Sequence, residues 1–404
     1  MPPWRWGLFA TLLLLAAAAY VVFTLERSLP GPSVVGAPAS ATFTGPHRAL
    51  AWPGQGQAAA GVQGVGLIAS HGSQRPTPIA SVAKIMTAYI VLRDHPLQGG
   101  ADGPQITVTS ADAGVYQADK AAGQSVVAVQ PGESLSLRQA LQGLLLPSGN
   151  NIATLLARWN AGSQGAFIAK MNGQARALGL SHTHYTDPSG LQAGTTSTAT
   201  DQVHLAMRAL EIPAFREIVA MPEVTLPVAG RQFNVNGMLG KDGIVGVKTG
   251  STSQAGGCFV FAAHQVVGGR TVTVVGAILH QLATRAQPSI IEGAFHASTT
   301  LLASVHHTLV TRQVVHRGQP LASIKSSWAD SIAVTAVKSV SLVGWPGLPI
   351  RNTIATASHP ALPIKAGENV GVAVFASGEQ RARVRLVASR GLSQPSLTWR
   401  LTHP

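Results

Sequence analysis

The sequence predicts an α+β protein: an antiparallel sheet flanked by helices plus a mainly helical part, followed by a small C-terminal β-sandwich, with a transmembrane helix at the N-terminus. Three observations carry this expectation. An uncharged apolar run fills residues 7–25. Helical patterns dominate from about residue 80 to 210 and give way to strands after 243. Beyond 311 the chain breaks into short β-rich segments separated by Gly and Pro, the texture of a sandwich.

The apolar run is preceded by Arg5 and followed by Glu26-Arg27, and its length just suffices to cross the hydrocarbon core of a bilayer. Two readings fit it, an uncleaved anchor or a cleaved signal peptide. The small-residue patterns Ala37-Pro38-Ala39 and Ala39-Ser40-Ala41 lie well beyond the apolar stretch. Signal peptidase needs such a site close behind a shorter run, so the spacing favours the anchor. Arg5 and the N-terminal amine then stay cytoplasmic, and everything after residue 27 lies outside a single-pass plasma-membrane anchor. Residues 28–55, rich in Pro, Gly, Ala and Ser, read as a spacer.

The next elements follow from periodicity and stop signals. Val82 to Leu92 reads as a largely buried helix ending before Pro96, with Ser81 at or next to its start. Ser136 opens a helix that Pro147 stops; Ser148-Gly149-Asn150 is a short turn before a helix from about Ile152 to Asn160. Thr198-Ala199-Thr200-Asp201 has the spacing of a capping box. After residue 243, strands at 244–247, 258–267 and 271–279 are expected, the last two joined by a Gly268-Gly269 hairpin, and a long helix spans about 289–309. The domains expected are thus 1–27 anchor, 28–55 linker, 56–310 catalytic domain and 311–404 β-rich domain.

Composition narrows the function. The net charge is +13, a bias toward anionic polymers, but no Lys/Arg run interleaved with aromatics marks a nucleic-acid site. One cysteine, Cys258, in the apolar stretch Gly256-Gly257-Cys258-Phe259-Val260, excludes an intrachain disulfide and a thiolate metal cluster. The 14 histidines include no His-Glu-x-x-His, and no metal or other cofactor is expected.

Three short motifs occur in order: Ser81-Val82-Ala83-Lys84, Ser148-Gly149-Asn150 and Lys248-Thr249-Gly250. Each alone is weak; together, at a helix start, an inter-helix turn and a strand, they suit acyl transfer. Ser81 needs a base to become a nucleophile, and Lys84 lies three residues on, on the same helical face. Burial and a second cation, Lys248, would lower the Lys84 pKa enough for that task. A helix N-terminus offers backbone N–H groups to a developing oxyanion. Ser148 can relay a proton from Lys84 to the leaving amine, and Asn150 can hold both Lys84 and the substrate amide. Lys248 and the Thr249 hydroxyl suit the free carboxylate of a peptide C-terminus, and Gly250 lets backbone approach the substrate closely.

On these motifs the chain resembles the penicillin-recognising serine enzymes, more narrowly the low-molecular-mass penicillin-binding proteins with D-Ala-D-Ala carboxypeptidase activity. The resemblance extends through the stretches 76–87, 145–153, 186–191 (Thr-Asp-Pro-Ser-Gly-Leu) and 242–252, covers roughly residues 60–310, and reaches the tail more loosely. It implies a β-lactamase/transpeptidase-like catalytic domain in which Ser81 is acylated by the penultimate D-Ala of a peptidoglycan stem peptide. It also implies an oxyanion hole of the Ser81 and Ser251 N–H groups, and β-lactams as covalent inhibitors. Two departures stand out. Some relatives carry an arginine between two asparagines where this chain has Asn234-Val235-Asn236, and this chain shows no C-terminal amphipathic helix. A class A β-lactamase would carry Ser-Asp-Asn as its middle motif. A DD-endopeptidase would use the same residues on crosslinked peptides, and a non-catalytic cell-wall or β-lactam sensor would lose the nucleophile or base.

Overall fold

The computed structural model describes residues 3–36, 40–357 and 359–403. The chain divides into two compact units, residues 45–310 and a second formed by residues 1–44 together with 311–404.

The 45–310 unit is built on a five-stranded sheet, antiparallel throughout, in the order Ile244–Thr252, Gly256–Val267, Arg270–Gln281, Gln57–Val62, Gly66–His71. The expected Gly268-Gly269 turn is present, with φ of 55° and 75°. Two successive positive φ values match the right-handed twist of the flanking strands, and only glycine takes them without strain. Helix Ile290–Thr308, capped by the Ser289 side chain, packs on the two long strands, with Phe295 edge-on to Phe259. The mainly helical part surrounds Lys84–Asp94, whose residues 84–92 are all buried. A helix apolar on nearly every side can only sit inside a shell of others. Cys258 is a buried free thiol, pushed up to about 12 by burial.

Local sequence explains most boundaries. Ser136 and Gln139 form a complete capping box at the start of Leu137–Leu145. At Ala199–Leu210 only half of the expected box forms: Thr198 accepts from the Asp201 N–H. The Asp201 carboxylate instead accepts from His182 N and Thr183 Oγ1 across a loop. The helix after the Ser148 turn starts at Asn150, two residues earlier than the apolar pattern suggests, because Gly149 already serves as its cap.

The second unit is β-rich as expected, but it also draws strands from the stretch expected to be a linker. Its main sheet has seven strands in the order Ser33–Gly36, Pro320–Lys325, Ile332–Ala336, Gln380–Ala388, Asn369–Ser377, Pro349–Thr356, Ser40–Thr42. The stretch 28–55, expected as a spacer, therefore supplies both outermost strands. Six inter-strand spacings would separate those edges by about 29 Å in a flat sheet, yet the four residue steps from Gly36 to Ser40 reach at most about 15 Å. The sheet must curl until its edges meet. Gly36 shows the closure: a Cβ there would touch both Ala322 and Ile354, from strands near opposite ends of the order. Phe43 then buries its ring over Gly344, where a side chain would clash. The rest of the stretch also packs, with Ala51 N–H donating to Ser304 Oγ and Trp52 stacked on His71. The pattern at 37–39 lies outside the described residues.

Helix Pro3–Glu26 is apolar (mean hydropathy 2.4) and almost wholly exposed. Its C-terminal end meets a six-residue helix, Leu397–Thr402: Tyr20 Oη donates to Leu401 O and the Arg400 guanidinium to Leu25 O.

Candidate active site

Ser81 lies in a 3-10 turn, Ala80–Ala83, that feeds directly into the helix opening at Lys84. Ala80 holds φ 47° and Ser148 φ 68°, left-handed conformations that non-glycine residues adopt only when their surroundings enforce them. At Ala80 the enforcement is visible. Gly190, itself at φ 82°, passes so close that a Cβ would sit 1.8 Å from the Ala80 carbonyl oxygen. From the other side comes the edge strand Ile244–Thr252, where a Cβ at Gly250 would stand 2.9 Å from Ser81 N and 3.0 Å from Val82 N. The Lys-Thr-Gly glycine is thus required by the approach of backbone to the Ser81 turn itself.

Lys84 is fully buried and its Nζ has three neighbours: Ser81 Oγ at 2.7 Å, Asn150 Oδ1 at 2.6 Å and Ser189 O at 3.1 Å. Two of these are pure acceptors; the hydroxyl alone can donate. A neutral amine has two N–H donors and one lone pair, so its valences match this set if the lone pair faces the Ser81 hydroxyl. Burial, and then the charge of Lys248, hold the Lys84 pKa well below its ordinary 10.5, against weaker pulls upward from Asp187 and Asp119. Lys248 is buried too, which alone brings it down to about 7; its Nζ donates to Thr249 O. Thr249 is buried, Ser251 exposed.

Ser148 Oγ is buried with no hydrogen-bond partner. It makes no bond to Lys84 or Ser81, so the relay expected of it is not formed here. Asn236 is likewise buried with an unpartnered Nδ2, while the side chains of both Asn234 and Asn236 accept from backbone N–H groups of their own loop.

The structure adds residues that sequence reasoning missed. Gln124 Oε1 accepts from Asn150 Nδ2 at 2.9 Å, which fixes the amide so that its oxygen faces Lys84. Asn150 N–H also donates to Ser125 O, and the Asn151 side chain pairs with both backbone groups of Val127. Asp187 organises the 186–195 loop: its carboxylate accepts from Ser189 N, Ser189 Oγ, Leu191 N and Thr195 Oγ1. Thr87 ties Pro188 O to the central helix, holding the Ser189 carbonyl over Lys84. No local motif announces Gln124, whose contact spans 26 residues. Gln124→Ala is expected to slow acylation of Ser81 about tenfold. The expectation rests on one part-buried hydrogen bond worth roughly 1–1.5 kcal/mol. Stopped-flow β-lactam acylation would show it.

Residues 64–277 match the family described as D-alanyl-D-alanine carboxypeptidase. The chain is similar to the D-alanyl-D-alanine carboxypeptidase DacB2 of Mycobacterium tuberculosis, 37% identical over 204 residues, 49% of this chain and 65% of that one. It is also similar to the D-alanyl-D-alanine carboxypeptidase of a Streptomyces species, 34% identical over 226 residues, 52% of this chain and 74% of that one. The match thus spans just under two thirds of the mycobacterial relative's length. A solved structure, a peptidoglycan synthesis regulatory factor (PBP3) from Streptococcus pneumoniae, shares the fold over 85% of this chain and 100% of its own, with a TM-score of 0.63 at 20% identity.

Proposed function

The chain belongs to the D-alanyl-D-alanine carboxypeptidase family of serine peptidases, and from that premise we propose that it removes the terminal D-alanine of peptidoglycan stem peptides through an acyl-enzyme on Ser81. The observation that carries the assignment of roles is the set of three partners around Lys84 Nζ. As Ser81 Oγ attacks the penultimate D-Ala carbonyl carbon, its proton passes to the Lys84 lone pair. Asn150 Oδ1 and Ser189 O stabilise the ammonium that forms. The carbonyl oxygen, now an oxyanion, is held by the Ser81 and Ser251 N–H groups. The new ammonium is the proton source for the departing D-Ala nitrogen, and Ser148 relays it by turning its unpartnered hydroxyl toward Lys84. Lys248 and Thr249 take the terminal carboxylate, whose charge restores the proton that burial tends to strip from Lys248. Water, with Lys84 again as base, then frees the acid product and Ser81. Crosslinked stem peptides would meet the same residues in an endopeptidase reaction.

The exposed apolar helix Pro3–Glu26 is read as the anchor, with Arg5 cytoplasmic and both units outside the plasma membrane. Its continuation into a strand of the curled sheet supports retention of the segment, since cleavage near 39 would remove that strand.

A penicillin carrying a mass label tests the roles. The expected product is one covalent adduct per chain, on the peptide containing Ser81 and absent in Ser81→Ala. An adduct elsewhere, or none on the folded protein, would overturn them.

A further inference from the structure

The positive charge is unevenly spread. Residues 311–404 carry eleven Lys and Arg against three Asp and Glu; residues 45–310 carry sixteen against twelve. Within the curled sheet the excess is concentrated on one face. Arg381, Arg383 and Arg385 alternate along Gln380–Ala388 and are exposed, while Val384, Leu386 and Ala388 between and beyond them are buried in the unit's core. Register places Ala376, Val374 and Val372 opposite the three arginines on the next strand. Arg351, Thr353 and Ala355 lie opposite those, on the strand after it. Four arginines therefore share a surface of three strands, spaced about 6.7 Å along the strand and about 4.8 Å per strand across it. Not one of these nine outward residues is acidic. Arg381 donates only to carbonyls of its own turn, and no salt bridge to any of the four is found among the described residues. Like charges set side by side on a sheet cost stability, which is recovered only when a counter-charge covers them.

The chain's own connectivity says what lies within reach. The first strand of this sheet begins at Ser33, seven residue steps after the apolar helix ends at Glu26, a span of at most about 25 Å. The contact of Leu397–Thr402 with the Tyr20–Leu25 end of that helix holds the unit there as well as tethering it. Trp399 of the short helix lies edge-on to Trp328, an aromatic pair of the kind that settles at a membrane–water boundary. We propose that the Arg351/Arg381/Arg383/Arg385 face docks on the anionic phospholipid headgroups of the bilayer that holds helix Pro3–Glu26. Val372 and Val374, half-buried between the arginines, add an apolar floor that tolerates the loss of water on docking. The inference rests on the anchor reading above and adds a second, electrostatic attachment that salt can release.

The test uses the full chain reconstituted into vesicles of phosphatidylcholine alone or with 30% phosphatidylglycerol. Arginine modification by phenylglyoxal is followed peptide by peptide, with exposed Arg176 as internal reference. Expected is about fivefold slower modification of the four arginines in anionic vesicles than in neutral ones, reversed by high salt, the factor that attraction of roughly one residue to such a surface gives. Equal rates in both vesicles, with the chain retained in the vesicle pellet after an alkaline carbonate wash, would overturn the docking face alone. Loss of the chain from the pellet would instead remove the anchor on which it rests. Protection by a soluble polymer of glycerol phosphate, without protection by anionic vesicles, would contradict the membrane as partner and assign the face to a wall polymer.

Discussion

Lys84→Met is expected to slow acylation of Ser81 by about 10³-fold while leaving the protein folded. General-base catalysis alone contributes roughly 10²–10⁴-fold, and here the same amine also aligns the nucleophile through its 2.7 Å contact. The substitution leaves Asn150 Oδ1 and Ser189 O without their donor, at a cost of about 1–3 kcal/mol for each buried acceptor. Against that, the fully buried amine is gone, and methionine fills nearly the same volume. The change in melting temperature should therefore be modest beside the loss of rate. In the unaltered protein, acylation is expected to rise with pH as Lys84 loses its proton. That limb should fall well below the ordinary lysine range, because burial and the Lys248 charge disfavour the ammonium. Lys248→Met removes the second of those causes and should move the limb to higher pH. Rates of β-lactam acylation between pH 5 and 10 would show both effects. A limb unmoved in Lys248→Met would mean that the two amines do not sense each other.

Gly190→Ala is expected to abolish measurable turnover and to destabilise the catalytic unit by about 2–4 kcal/mol. The added methyl would sit 1.8 Å from the Ala80 oxygen, and the residue would have to hold φ 82°. Neither backbone has room to yield. Ala80 is itself in a left-handed conformation and buried, and the 187–191 turn is clamped by Asp187. Relief of the overlap must displace the Ser81 turn, the Ser189 carbonyl, or both, and so dismantle one or two of the three contacts around Lys84. Calorimetry and D-alanine release measured on the same sample would separate the stability loss from the rate loss. Full activity in Gly190→Ala would mean that the close approach does not hold the site.

What could be read from the sequence follows physical range. Ser81 and Lys84 share one helical turn, Pro147 stops one helix and Gly149 opens the next, and Gly268-Gly269 dictates its hairpin; each is set by a few adjacent residues. The motifs were legible because their chemistry is, even though the distances joining Lys84 to Asn150, 66 positions away, are not. Gln124 could not be found that way, since a glutamine after a surface helix carries no signal of the asparagine it orients. The closing strands of the second unit were missed for a related reason. Ser33–Gly36 has four residues, two of them valine, in a stretch whose Pro and Gly content favours a flexible spacer. Its strand partner begins at Pro320, so the pairing is wholly non-local. The half-formed box at Thr198 is a smaller case: the spacing is right, but Asp201 gains more by bridging to His182 and Thr183.

The measurement that bears most directly on the account is D-alanine release from a stem pentapeptide ending in D-Ala-D-Ala, by the full chain in detergent, beside its Ser81→Ala variant. The expected result is one D-alanine freed per peptide by the unaltered chain, none by the variant, and suppression by pre-treatment with a β-lactam. Release that persists in Ser81→Ala, or a folded unaltered chain that binds the peptide and frees nothing, would contradict the assignment of Ser81 and its carboxypeptidase reaction.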